Sequence, residues 1–280
     1  MSTKRFGRLR KSAAILPLAL LSAAWTASLT GAATTSTVAA QTPDVALPDG
    51  TSVPTEAIEA PASVSAPGGL ASASGDTQQI VASATTNGIP SSALAAYQRA
   101  ETVINSADTS CNLTWQLVAA IGRVESNHGR FGGNALDDNG LARPGIYGVA
   151  LDGSNNTSAI RDTDAGQYDN DLAFDRAVGP MQFIPSTWSV VGVDADNDGQ
   201  RNPQDVDDAA LASAVYLCSG KDDLATVAGQ RSAVYRYNHS QSYVDLVLSI
   251  MNAYLEGDFM SVPNSTTAAG TFVPETVRPG

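Results

Sequence analysis

The chain has 280 residues, with 28 acidic against 16 basic ones, a net charge of −12, and a hydrophobic share of 43%. That length holds one or two domains. The acidic balance makes nucleic acid, which draws its affinity from Lys and Arg, a poor partner, and anionic lipid another; a neutral or mixed-charge polymer suits it better.

The chain opens with "MSTKRFGRLRK", five basic residues and no acidic one, followed by the apolar run "SAAILPLALLSAAWTASLTGAA". That is the layout of a secretory leader over residues 1–40, with Val38-Ala39-Ala40 or Gly31-Ala32-Ala33 as the cleavage site. The run also approaches spanning length, so an uncleaved membrane tether is the alternative. Either way, the rest of the chain is expected outside the cytoplasm, in the cell wall or secreted. Loss of the leader would leave a net charge of about −17. Residues 41–85 are rich in Ala, Ser, Thr, Pro and Gly and read as a disordered linker; residues 259–280 read as a disordered tail.

Between them, residues 86–258 read as one helical domain. A helix is expected from about Pro90 to Ala107, with Ser92 as N-cap and Leu94, Tyr97 and Ile104 on one side. A second covers about 113–128 and stops at Gly129. Residues 131–178 lack periodicity and are rich in Gly, Asp and Asn, a long loop of the kind that shapes sites. A further helix runs through "DVDDAALASAVYLCSG", with Asp205 as N-cap, acids in its first turn and Gly220 as its stop. The last, "QSYVDLVLSIMNAYLEG", presents Tyr243, Leu246, Val247, Ile250 and Tyr254 to the core, with Ser240 or Ser242 as its cap. Cys111 and Cys218, an even count in an exported chain, are expected to pair. The loop they close would contribute about 4–5 kcal/mol on the chain-entropy account.

Four stretches carry candidate chemistry. In "LVAAIGRVESNHGR", Glu125 falls on the apolar side of its helix, where burial favours the neutral carboxyl and suits a general acid. The alternative is a surface glutamate paired with Arg123 or Arg130. In "RAVGPMQFIPSTW", Gly179-Pro180 and Pro185 bracket an irregular segment. Its Gln182 and Phe183 suit a sugar, by amide hydrogen bonds and ring stacking, or else fill a buried turn. In "YRYNHSQSYV", a hydroxyl from Tyr237 could orient a carboxyl, or the segment could be a helix-entry turn. "DADNDGQRNPQD" supplies Asp194, Asp196, Asp198, Gly199, the Gln200 carbonyl, Asn202 and Asp205 at calcium-loop spacing. Aspartate in place of glutamate at its last position, and Arg201 where an aliphatic is usual, point to a lone structural calcium loop.

His128 and His239 stand in no metal-binding or nucleophile-elbow spacing, and no phosphate loop or organic-cofactor motif occurs. Both histidines read as packing or surface residues.

"GRVESNHG", "VGPMQFIPSTW" and "YNHSQSYVDLVL", in that order, resemble the lytic murein transglycosylases, most closely the membrane-bound lytic transglycosylase B-like group in an actinobacterial-style version. The resemblance spans about residues 90–257, and that group also carries a calcium loop between its second and third motifs. It implies a mainly α, lysozyme-like domain with an embedded EF-hand-like calcium loop, acting as a monomer on peptidoglycan glycan strands. The implied reaction cuts the β-1,4 bond between N-acetylmuramic acid and N-acetylglucosamine and leaves a 1,6-anhydro end. Glu125 would act as acid and then base, and Ser126, Gln182, Phe183, Tyr237 and Asn238 would line the groove or orient it. A lysozyme-type hydrolase, taking a second carboxylate from Asp137, Asp138, Asp162, Asp164, Asp169, Asp171 or Asp175, stays open. So does a non-catalytic wall-binding scaffold.

Overall fold

The computed structural model describes residues 46–64, 77–154 and 157–266. The expected leader, residues 1–40, lies outside them. Among the described residues no helix is long and apolar enough to cross a membrane.

Helices dominate, as the periodicity predicts. They are α1 (Thr77–Thr86), α2 (Ser91–Ala107), α3 (Trp115–Ser126), α4 (Pro185–Val191), α5 (Val206–Cys218), α6 (Val227–Tyr237) and α7 (Gln241–Leu255). Helix α2 packs along α5, and α3 packs along α7. Their shared core holds Tyr97, Ile104, Leu117, Ile121, Tyr216, Val247 and Ile250. Gly122 makes the approach of α2 to α3 possible: a Cβ there would lie 2.3 Å from the Tyr97 hydroxyl and 3.2 Å from the Met181 sulfur. Cys111 and Cys218 are joined in a disulfide that ties the α2–α3 connection to the end of α5.

The caps match the sequence in part. The side chains of Asp205, Thr226 and Ser240 accept from the first turns of α5, α6 and α7. Ser92, by contrast, sits inside α2, whose N-cap is Pro90. Helix α3 ends at Ser126, three residues before Gly129, because Asn127 already adopts the left-handed conformation (φ 53°) that stops a helix. Asparagine tolerates that region, which is why the glycine was the more obvious but wrong stop.

Short ladders accompany the helices. Strand β1 (Ile89–Pro90) pairs in parallel with β6 (Ser261–Val262). The irregular loop contains β2 (Ala135–Leu136) against β3 (Ala142–Arg143), and β4 (Tyr147–Ala150) against β5 (Arg176–Val178). These strands are too short to show alternation in sequence.

Two expectations about disorder need correction. Residues 46–64 are a strap bound to the domain. Ala62 and Ser63 donate backbone N–H bonds to the Tyr237 carbonyl (3.0 and 2.9 Å), and Ile184 N–H donates to the Ala62 carbonyl (2.8 Å). The Tyr216 hydroxyl donates to the Ala60 carbonyl and the Thr187 hydroxyl to the Pro61 carbonyl, both at 2.8 Å. The strap is held through its backbone, so small residues serve and composition conceals it. The start of the tail docks as well: Phe259 packs edge-on against Trp115 and Tyr254, and β6 follows.

Candidate active site and metal loop

Glu125 occupies the last turn of α3 and is fully buried. The Tyr243 hydroxyl, from the first turn of α7, donates to its Oε1 at 2.7 Å. Burial, and then the charge of the Glu125 carboxylate, push the Tyr243 hydroxyl well above the ordinary tyrosine value, so it stays a donor. Tyr243 is the tyrosine whose hydroxyl bonds the carboxyl, while Tyr237, the one expected from sequence, lies close enough that the Glu125 charge, after burial, raises its pKa as well. Sequence periodicity had absorbed Tyr243 into the core stripe of α7, and that stripe is also the face that meets α3.

Ser126 locks the helix end to the next motif. Its hydroxyl donates to the Pro180 carbonyl at 2.6 Å and accepts from the Gly129 N–H at 2.8 Å. Arg123 and Arg130 are also buried, but they are engaged elsewhere. Arg123 bonds Asn127 and Ser83, while Arg130 bonds the carbonyls of Asn87, Gly88 and Asn127. His128 is a buried packing residue between the hydroxyls of Tyr97 (3.1 Å) and Tyr254 (3.3 Å). Burial first, and then the two arginines, lower its pKa well below 6.5.

The segment 179–183 turns tightly between β5 and α4. Val178 and Phe183 exchange two backbone hydrogen bonds across the turn. Gly179 (φ +76°) is required there, since a Cβ would fall 1.7 Å from the Pro203 carbonyl oxygen. Gln182 is held at φ 52°, a conformation that costs a non-glycine residue on the order of 1–3 kcal/mol. Its Nε2 donates to the Gly179 carbonyl, while its Oε1 is buried without a partner.

Phe183 points into the core between Trp188 and Tyr237 and presents no face to a ligand. The Tyr237 hydroxyl donates to the Met181 carbonyl at 2.9 Å and lies 3.2 Å from the Ser213 hydroxyl. It braces the turn. Asn238 is the buried C-cap residue of α6. Geometry thus joins Ser126 to the 179–183 turn, with Phe183 and Tyr237 packed against each other behind it.

The aspartate-rich loop is tied together by carboxylates that accept backbone N–H groups. Asp194 accepts from the Gly199 N–H (2.9 Å), Asp196 from Asp198 (3.1 Å) and Asp198 from Gln200 (2.7 Å), with Gly199 at φ +87°. Carboxylate oxygens of Asp194, Asp196 and Asp208 come within 4.8 Å of one another. Asp205 caps α5 instead, accepting from the Asp207 N–H at 2.8 Å. Asp208, one helical turn on, stands in the cluster with Asp194 and Asp196 and anchors the loop by accepting from the N–H groups of Ala195 (2.7 Å) and Asn202 (2.8 Å). Burial, opposed in part by these bonds and reinforced by neighbouring carboxylates, raises Asp208 to about 7 and Asp205 to about 6. Asp194 Oδ1 is buried without a partner. Crowded carboxylates with an orphaned oxygen fit a hard, oxygen-seeking divalent cation.

Residues 173–223 match the family model described as Transglycosylase SLT domain. That stretch includes the second of the three motifs and bears out the recognition of a lytic transglycosylase, an enzyme. No curated protein sequence matches the chain. Among solved structures it is similar to the Escherichia coli lytic transglycosylase Slt35, in complex with bulgecin A and in complex with calcium. Each is 15% identical, with 64% of this chain and 75% of that chain covered and a TM-score of 0.40. At that distance the two structures carry no argument about this chain.

Proposed function

We propose that this chain is a peptidoglycan lytic transglycosylase of the membrane-bound lytic transglycosylase B-like group, with a lysozyme-like fold, acting outside the cytoplasm on glycan strands. The observation that carries this reading is the enclosed Glu125 carboxyl with a tyrosine hydroxyl on its Oε1. With the Tyr243 hydroxyl donating to Oε1, the acidic proton is assigned to Oε2. Glu125 gives that proton to the glycosidic oxygen as the C1–O bond breaks and its electron pair leaves with N-acetylglucosamine. The muramoyl 6-hydroxyl then bonds to C1 and returns a proton to Glu125, closing the 1,6-anhydro ring without water. The orphaned Gln182 Oε1 is an acceptor suited to an acetamido N–H of the sugar.

A single carboxyl suffices for this chemistry, and of the loop aspartates offered to a hydrolase all but the exposed Asp138 have partners of their own. Asp137 and Asp171 pair with Arg143 and Arg176. Asp175 accepts from Thr163, and Asp162, Asp164 and Asp169 accept backbone N–H groups. Calcium held by Asp194, Asp196 and Asp208 would stiffen the entry to α5. The enzyme reading is tested against the scaffold by incubating wild type and Glu125→Gln with insoluble peptidoglycan. Soluble fragments from wild type only, with both proteins binding, support it; fragments from both would remove Glu125 from the mechanism, and binding without fragments from either would make the chain a scaffold.

A further inference from the structure

We propose that the strap of residues 46–64 is a positioning element of the candidate site, with Ala62 clasping the turn before α4 to the end of α6; the inference rests on the functional reading above. Tyr237 is the last residue of α6, and a carbonyl at that place has no partner within its own helix. The N–H groups of Ala62 and Ser63 supply the partner, at 3.0 and 2.9 Å. On the other side the buried Ile184 N–H, just past the 179–183 turn, donates to the Ala62 carbonyl at 2.8 Å. Ala62 thus bonds, through its N–H and its carbonyl, two segments far apart in sequence. Its neighbours repeat the pattern. The Thr187 hydroxyl, in the first turn of α4, donates to the Pro61 carbonyl, and the Tyr216 hydroxyl lies 2.8 Å from the carbonyls of both Ala60 and Arg236.

Both clasped segments lead to Glu125. The 179–183 turn takes the hydroxyl of Ser126, the neighbour of Glu125 in α3, on its Pro180 carbonyl at 2.6 Å. From Tyr237 the chain runs to Ser240, which caps α7 by accepting from the Tyr243 N–H, and the Tyr243 hydroxyl donates to Glu125 Oε1 at 2.7 Å. A turn that slips away from α6 therefore shifts Ser126 against Tyr243, with the carboxyl held between them. The strap is also anchored at its far end, by the buried Leu47 and by the Asp49–Arg201 ion pair at 2.6 Å, which keeps Ala62 within reach of its partners. Ala62 itself buries only a methyl group, so its contribution is geometry more than apolar burial.

The test uses full-length protein and follows the release of soluble fragments from peptidoglycan. Melting temperature reports on the domain, and cleavage after Glu56 and Glu59 by a glutamate-specific protease reports on the strap. Ala62→Pro removes the N–H that reaches Tyr237. It is expected to open the strap to the protease and to lower kcat by about ten- to a hundredfold, with KM within about twofold of wild type. Ala62→Gly, which keeps both backbone groups, is expected to turn over as wild type does. Should Ala62→Pro fail to fold, Thr187→Val removes the hydroxyl bond to Pro61 and is expected to lower kcat by a smaller factor, with Thr187→Ser restoring it. A strap opened to the protease with kcat unchanged overturns the proposal. So does a loss of kcat no larger than the loss of folded protein, which would make the strap a stabiliser only. A wild-type protein that releases no fragments sinks the functional reading, and the positioning role with it.

Discussion

At the end of α3 one carboxyl, Glu125, is wholly enclosed and met by a neutral hydroxyl. At the entry to α5 three aspartates, Asp194, Asp196 and Asp208, crowd within 4.8 Å, with Asp205 beside them capping the helix. Both regions take carboxylates out of water, but they balance the cost differently. A single enclosed carboxyl can meet it with a proton, which is then available for transfer. A crowd of carboxylates lowers its mutual repulsion most with a divalent cation. The difference separates chemistry from scaffold, and each side can be attacked without disturbing the other.

The largest effect is expected from Glu125→Gln. Loss of the general acid should slow fragment release by on the order of 10²–10⁴-fold, with an unchanged circular dichroism spectrum. Next comes calcium. Added at about a hundredfold over its Kd it should stabilise metal-free protein by about 2.7 kcal/mol, read as a rise in melting temperature of several degrees. Asp208→Asn should remove that gain and Asp205→Asn should keep most of it; the reverse order would restore the ligand set read from loop spacing. Tyr243→Phe, which removes one hydrogen bond to Glu125, should cost about tenfold in kcat with little change in KM.

His128 gives the smallest and most specific effect. Its folded pKa is depressed, so the stability it contributes is present above the unfolded value of 6.5 and is lost as pH falls from there. The groups facing it, Tyr97, Tyr254, Arg123 and Arg130, offer no carboxylate to hold an imidazolium. Between pH 7 and pH 5 the raised Asp205 and Asp208 act in the opposite sense, so the His128 part is read as a difference: the urea midpoint of His128→Gln should gain on that of wild type as pH falls. A difference between the two proteins that does not change with pH would contradict the assignment.

Much of this was legible in the sequence, for identifiable reasons. Helices with a wide apolar face announce themselves by period, so α2, α3, α5 and α7 were readable. Glu125 stood out because a charge on that face is anomalous. The glycine and prolines around 179–185 marked the turn, because few other residues fit it. Backbone-mediated docking left no such trace. The 46–64 strap is held by carbonyls and N–H groups, which every residue has, so its Ala-Pro-Ser composition read as linker. Tyr243 was hidden for the opposite reason: a tyrosine at helical spacing predicts core, and it is core, yet its hydroxyl reaches Glu125. Asp205 and Asp208 are one turn apart, and spacing could not decide which caps the helix and which joins the cluster.

The central claim is that one carboxyl does the chemistry while the aspartates of the loop and cluster do not take part. The measurement that tests it most directly is mass spectrometry of peptidoglycan fragments released by wild-type protein in ¹⁸O-labelled water. The account predicts muropeptides lighter by one water and free of label, because the 6-hydroxyl and not solvent closes on C1. Reducing ends carrying ¹⁸O would mean that water is the nucleophile, that a second carboxylate activates it, and that the account is wrong.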